Sequence, residues 1–157
     1  MAPAEIGMAY RISGGLHRLF DGEGARRYGG RWNSPGRAVI YAGLSYAISM
    51  LERLIHLNDL TLPPSDRWVR LRFPERLAEI MDPAASPGWD AADMVASRRF
   101  GDAWLASRRS LILIVPSVVT KQDRNAVINP EHAEFPAIEA TSERAVRGDP
   151  RLFRASV

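Results

Sequence analysis

The chain is 157 residues long, has no cysteine, and sets 21 basic against 18 acidic side chains for a net charge of +3. That length fits one domain over residues 1–157, and 46% hydrophobic residues supply a core, which excludes disorder as the main state. Without cysteine there is no disulfide framework, thiolate metal site or thiol nucleophile, a usage expected of a cytoplasmic protein; every basic residue but Lys121 is arginine.

Met1 to Tyr10 lack the basic start and apolar run of a signal peptide, so secretion is not expected. A strand is predicted over Met8–Ile12, followed by Ser13-Gly14-Gly15 and Asp21-Gly22-Glu23-Gly24, turn signals that suggest a mobile loop. After a strand over Ala38–Ala42, Ile48, Leu51, Leu54 and Ile55 recur at helical spacing, so a helix over Ser45–Leu57 is predicted with Ser45 as its N-cap. Leu62–Asp66 and Asp82–Gly88 read as connections within the domain, on either side of a strand over Trp68–Phe73. A second helical stretch, about Ala91 to Arg108, carries Met94, Val95, Trp104 and Leu105 and is interrupted by Gly101. Strands follow over Leu111–Val115, Ala126–Ile128 and Leu152–Ala155. The most apolar stretch, Leu111–Val119, contains Pro116 and Ser117 and is far shorter than the roughly 20 residues of a spanning helix, so no membrane partner is expected. Mixed strands with few helices and no regular βα alternation predict an α+β domain.

Three groups of residues are candidates for chemistry. In Tyr28-Gly29-Gly30-Arg31-Trp32-Asn33 the glycines let backbone approach a ligand and Arg31 offers a planar fork suited to phosphate; a plain glycine turn with Arg31 in solvent reads the same residues structurally. Neither a P-loop nor a dinucleotide fingerprint is present. Glu52, on the face of Ile48 and Ile55, borders the apolar stripe of its helix, either as a functional carboxylate or as a structural one satisfied by His56 or a backbone donor. The third group is Val115-Pro116-Ser117 with Asn129-Pro130-Glu131-His132, where Asn129 also fits a simple turn. Ser117, His132 and Glu52 permit a Ser-His-acid hydrolase, against which stands the lack of a Gly-x-Ser-x-Gly elbow. His17, His56 and His132 form no ligand motif, so no metal is expected. Arg26-Arg27, Arg98-Arg99 and Arg108-Arg109 are expected on solvated faces, leaving a nonenzymatic nucleic-acid-binding module as a remote alternative.

Tyr10-Arg11-Ile12, Gly29-Gly30-Arg31-Trp32-Asn33, Tyr41-Ala42, Leu51-Glu52, Val115-Pro116-Ser117 and Ile128-Asn129-Pro130 with His132 together resemble the RES-domain family over about Tyr10 to Phe153. The resemblance implies an ADP-ribosyltransferase-like mixed β core with flanking helices, and a toxin paired with an Xre-like antitoxin that occludes an NAD⁺ cleft. It implies mono-ADP-ribosylation of a cellular protein such as ribose-phosphate pyrophosphokinase, with NAD⁺ glycohydrolase or phosphorylase activity as the alternative. The family Arg falls on Arg31, the Glu on Glu52, the accompanying Tyr on Tyr41, and the Ser on Ser117, with Ser110 as its alternative. On this reading Glu52 faces the positive charge that grows as nicotinamide leaves, while Arg31 grips the pyrophosphate. Tyr41 and Tyr28 stack on nicotinamide, and Ser117 with Asn129 hydrogen-bonds the ribose or amide.

Overall fold

Alternation along the strands decides which residues meet in the core. In the computed structural model, which describes residues 5–14, 18–57 and 65–153, strand β3 (Arg67–Pro74) buries Val69, Leu71 and Phe73 and exposes Arg70 and Arg72 between them. The remaining elements in chain order are β1 (Ile6–Ser13), α1 (Glu23–Tyr28), β2 (Ile40–Gly43), α2 (Tyr46–Ile55), β4 (Ala78–Ile80), α3 (Val95–Ser107), β5 (Ile112–Pro116), β6 (Arg124–Ile128), β7 (Glu139–Ala140) and β8 (Arg144–Ala145). The strands form one sheet in the order β4-β5-β6-β2-β1-β3-β7, with β8 also on β3. β4 runs parallel to β5 and the other pairs are antiparallel, so the sheet is mixed and the expected α+β class is found.

One face of this sheet buries Ala9, Ile40, Leu71, Ile112 and Ile128, under Leu19, Ile138 and a stacked Phe20–Phe135 pair whose ring centres are 4.9 Å apart. The other face buries Val39, Leu113, Val115 and Val127 beneath Trp104 and Leu105 of α3. The two halves of the sheet join at a narrow seam. β1 pairs with β3 along its whole length, yet it pairs with β2 only where Tyr10 meets Gly43. Beyond that point the strands part, and the Tyr41 carbonyl accepts a 2.8 Å hydrogen bond from Nη1 of Arg11.

α2 begins where predicted, with the Ser45 hydroxyl accepting from the Ile48 amide at 3.2 Å. Its apolar stripe is narrower than expected. Ile48 and Leu54 are buried, but Leu51 and Ile55 face solvent, because the packed face turns through Ser49, whose hydroxyl donates to the Tyr10 carbonyl at 2.8 Å. Of the early glycine-rich segment, Leu19–Gly22 form a turn that leads into α1 at Glu23, and Gly15 lies outside the described residues; Leu152 lies in a 3₁₀ turn (Pro150–Leu152), not a strand, and residues 154 and 155 lie outside the described residues. β4, β7 and β8, three residues or fewer each, carry too little pattern to be read from sequence.

Gly101 does not interrupt its helix. α3 runs straight through it because the Trp32 backbone lies against that position, where any Cβ would overlap the Trp32 carbonyl. Gly101→Ala should therefore cost about 1–3 kcal/mol of unfolding free energy, the usual penalty of overpacking, measured by urea denaturation. A neutral result would show that α3 and the Trp32 segment separate freely.

Candidate functional site

The seam places three strands on one line: Gly43 of β2 pairs with Tyr10 of β1 on one side and with Asn125 of β6 on the other. α2 crosses this line, with Ile48 and Ser49 against Gly43, and one turn later it carries Glu52. Glu52 Oε1 accepts two hydrogen bonds, from Asn125 Nδ2 at 2.7 Å and from the Ser117 hydroxyl at 2.9 Å. Ser117 is fully buried just past β5, and its oxygen also accepts from the amides of Val119 and Thr120, at 3.1 and 3.3 Å. Those amides occupy its lone pairs, so its proton is directed at Glu52. Both donors grip one oxygen, and among the described residues Oε2 has no partner.

Arg31 sits in the turn Gly30–Asn33, which Tyr41 builds from inside. The Tyr41 hydroxyl donates to Asn33 Oδ1 at 2.7 Å and accepts from the Trp32 amide at 3.0 Å. Gly30 is required for this approach, since a Cβ there would lie 2.6 Å from the hydroxyl. Asn33 Nδ2 donates to the carbonyls of Ala25 and Arg37, while Arg98 Nε donates to the Gly30 carbonyl at 2.8 Å. Arg98 is thus a structural tether and not part of a solvated face. Burial pushes the Tyr41 phenol above its ordinary range, so it stays protonated. Arg31 Nη1 donates to the carbonyls of Trp89 and Ala91, at 3.0 and 2.9 Å, which fixes the guanidinium plane. The same loop reaches the Ser117 turn: Lys121 pairs with Asp90 at 2.9 Å and covers the Trp89 ring, while its amide donates to the Ser117 carbonyl.

Arg31, Tyr41, Glu52 and Ser117 are therefore linked in one connected set. Ser110 is not part of it, since its hydroxyl bonds Trp104 and Glu79 beyond the other end of β5. Asn129 lies past the far end of β6, about 13 Å along the strand from Asn125, with its side chain accepting from the Glu131 amide in a turn. Tyr28 ends α1 with 74% of its surface exposed. His56 approaches the Glu52 carbonyl and not the carboxylate. His132 contacts the carbonyl of Arg108 and the amide of Glu134 at the Asn129 end, so the structure does not assemble Ser117, His132 and Glu52 into a triad. His17 lies outside the described residues, among which no acidic or histidine cluster is arranged to hold a metal.

Two residues of the site receive no role from the sequence, although Arg11 lies in the Tyr10-Arg11-Ile12 motif. Asn125 Oδ1 and Arg11 Nε are buried without a hydrogen-bond partner, on either side of the seam. Burial brings the Arg11 guanidinium down to about 10, with Asp21 partly offsetting and Arg53 adding to the effect. The available signals were a charged residue alternating with Ala9 and Ser13 on β1, and an asparagine opening a buried apolar strand.

Comparison with known proteins matches the chain to a family. The RES domain matches residues 8–149. The Prs ADP-ribosylating toxin of Sphingobium sp. (strain YBL2) is 39% identical over 138 residues, covering 85% of this chain and 86% of that protein. A Toxin Res of Yersinia enterocolitica is 32% identical over 140 residues, covering 87% and 92%. In fold the chain is similar to a crystal structure of the Mycobacterium tuberculosis MbcT–MbcA toxin–antitoxin complex, with a TM-score of 0.73 at 18% identity over 91% of this chain and 85% of that one. A glycine-supported Arg31, a Glu52 clasped by Ser117, and a match across most of the chain lead to one conclusion: this protein belongs to the RES-domain family.

Proposed function

We propose that the chain is the toxin of a toxin–antitoxin pair and an enzyme that breaks the nicotinamide–ribose bond of NAD⁺ and passes ADP-ribose to a cellular protein. The observation that carries this reading is the Glu52 carboxylate, held through one oxygen by Ser117 and Asn125 while the other is left without a partner among the described residues. Nicotinamide leaves as a neutral ring and needs no general acid, so one carboxylate suffices to oppose the positive charge growing on the ribose. Holding Glu52 in advance removes the cost of orienting it during the reaction.

The substrate's two ends find matching chemistry. Arg31 has Nη1 committed to backbone and presents the rest of its fork for the pyrophosphate. Arg11, buried with a free Nε and a guanidinium disfavoured by its surroundings, gains from an anion beside it. The half-buried Tyr41 ring and the exposed Tyr28 ring are the stacking surfaces for nicotinamide, and the unpartnered Asn125 Oδ1 accepts from a carboxamide or ribose hydroxyl. Asn129 keeps its place as a binding residue only if the substrate reaches the far end of β6. An Xre-like antitoxin closing this cleft is the expected partner, and ribose-phosphate pyrophosphokinase the expected acceptor; the names of the Sphingobium and Yersinia relatives support the toxin reading.

Incubation with labelled NAD⁺ and cell extract should label a protein band. Release of free ADP-ribose or its 1″-phosphate without labelled protein would identify a glycohydrolase or phosphorylase instead. Glu52→Gln should lower nicotinamide release at least about 100-fold with the melting temperature unchanged, and wild-type turnover in that variant would remove Glu52 from the mechanism. Asn125→Ala should lower kcat by about ten-fold or more, the worth of one hydrogen bond to a charged group. Arg31→Lys, which replaces a planar fork by a point charge, should raise the KM for NAD⁺ about ten-fold; unchanged affinity would place the pyrophosphate elsewhere.

A further inference from the structure

On the other side of α2 from Glu52 lies a cavity of about 710 Å³ lined by Tyr10, Tyr46, Trp68, Arg70, Arg144 and Arg147. Its floor is aromatic: the Tyr46 ring meets the Trp68 ring edge-on with centres 5.2 Å apart, and Tyr10 sits 6.2 Å from Tyr46. Its rim is cationic. The Arg144 guanidinium rests 5.7 Å above the Trp68 ring, which restrains it, and the ion pairs found among the described residues leave out Arg70, Arg144 and Arg147.

We infer that this cavity is a binding site for a nucleoside phosphate, separate from the Glu52 cleft. Three convergent arginines exceed what one carboxylate engages, whereas the oxygens of a terminal phosphate accept from several guanidinium forks at once. Aromatic faces beside them suit a base, which stacks on tyrosine and tryptophan whatever its identity. The cavity is a groove open to solvent, and its volume, within the range of about 300–1,000 Å³ usual for small-ligand sites, is larger than phosphate alone requires. Separation from the cleft follows from the helix. Tyr46 and Glu52 are about 9 Å apart along the α2 axis, and their side chains reach opposite ways, Tyr46 to Tyr10 and Trp68, Glu52 to Ser117 and Asn125.

The test is calorimetric titration of the full chain with AMP, adenosine and a Glu-rich peptide, in wild type, Arg144→Gln/Arg147→Gln and Arg31→Lys. AMP should bind the wild type. The double variant should weaken AMP by about ten-fold or more while releasing nicotinamide from NAD⁺ as wild type does, and Arg31→Lys should leave AMP affinity in place. Adenosine should bind about ten-fold more weakly than AMP. Absence of AMP binding, equal affinity in the double variant, or a loss that instead tracks Arg31→Lys overturns the proposal; so does binding of the acidic peptide without AMP. Arg70→Gln, on β3 two residues from Trp68, gives the same reading should the double variant unfold.

Discussion

One carboxylate oxygen ties the helix at the centre of this protein to one half of its sheet. Ser117 and Asn125 belong to the β4-β5-β6-β2 half of the sheet, and both donate to Glu52. The helix that carries Glu52 is anchored on the opposite half: Ser49 bonds the Tyr10 carbonyl, and Arg53 makes a two-pronged pair with the buried Asp66, at 2.6 and 2.9 Å. α2 therefore spans the seam where β1 and β2 part. Removing either partner of the Arg53–Asp66 pair would strand a charge, a loss of about 3–5 kcal/mol for pairs of this kind. The catalytic candidate thus rides on the helix whose Ser49 and Arg53 brace the fold.

Arginine serves several different ends here. Arg98 ties α3 to the Gly30 carbonyl, Arg53 clamps Asp66, and Arg109 bonds Glu79 near the end of β5. Each works because a guanidinium presents donors in a plane, so one side chain can satisfy carbonyls or both carboxylate oxygens. Arg11 and Arg31 differ in being only partly satisfied by protein, and both border the seam through Tyr41, whose carbonyl binds Arg11 and whose hydroxyl shapes the Arg31 turn.

Arg31, Glu52 and Ser117 stood out as candidates because each sits in a short motif with an oddity, paired glycines, a carboxylate on an apolar stripe and a serine directly after Val-Pro, while Tyr41 entered only through the family resemblance. Asn125 carried no such mark, and Arg11 lay in the Tyr10-Arg11-Ile12 motif without being given a role. Their importance comes from register, Asn125 facing Gly43 across β2 and Arg11 standing one residue past the last β1–β2 pair, and register is fixed by partners far along the chain. Gly101 shows the same limit. Helix propensity counts glycine as a weak point, but what decides its place is the Trp32 carbonyl nearly seventy residues away.

The solitary lysine gives the molecule an uncommon chemical address. Lys121 occupies the turn that also carries Ser117, with its ammonium half-exposed between Asp90 and the Trp89 ring. In a chain whose other cations are all guanidinium, an amine-directed acylating reagent has one side-chain target, beside the loop that fixes Arg31. A fluorophore or cross-linker can thus be installed at the edge of the cleft without engineering a cysteine, and acetylation of that single amine would neutralise the charge that joins the two loops.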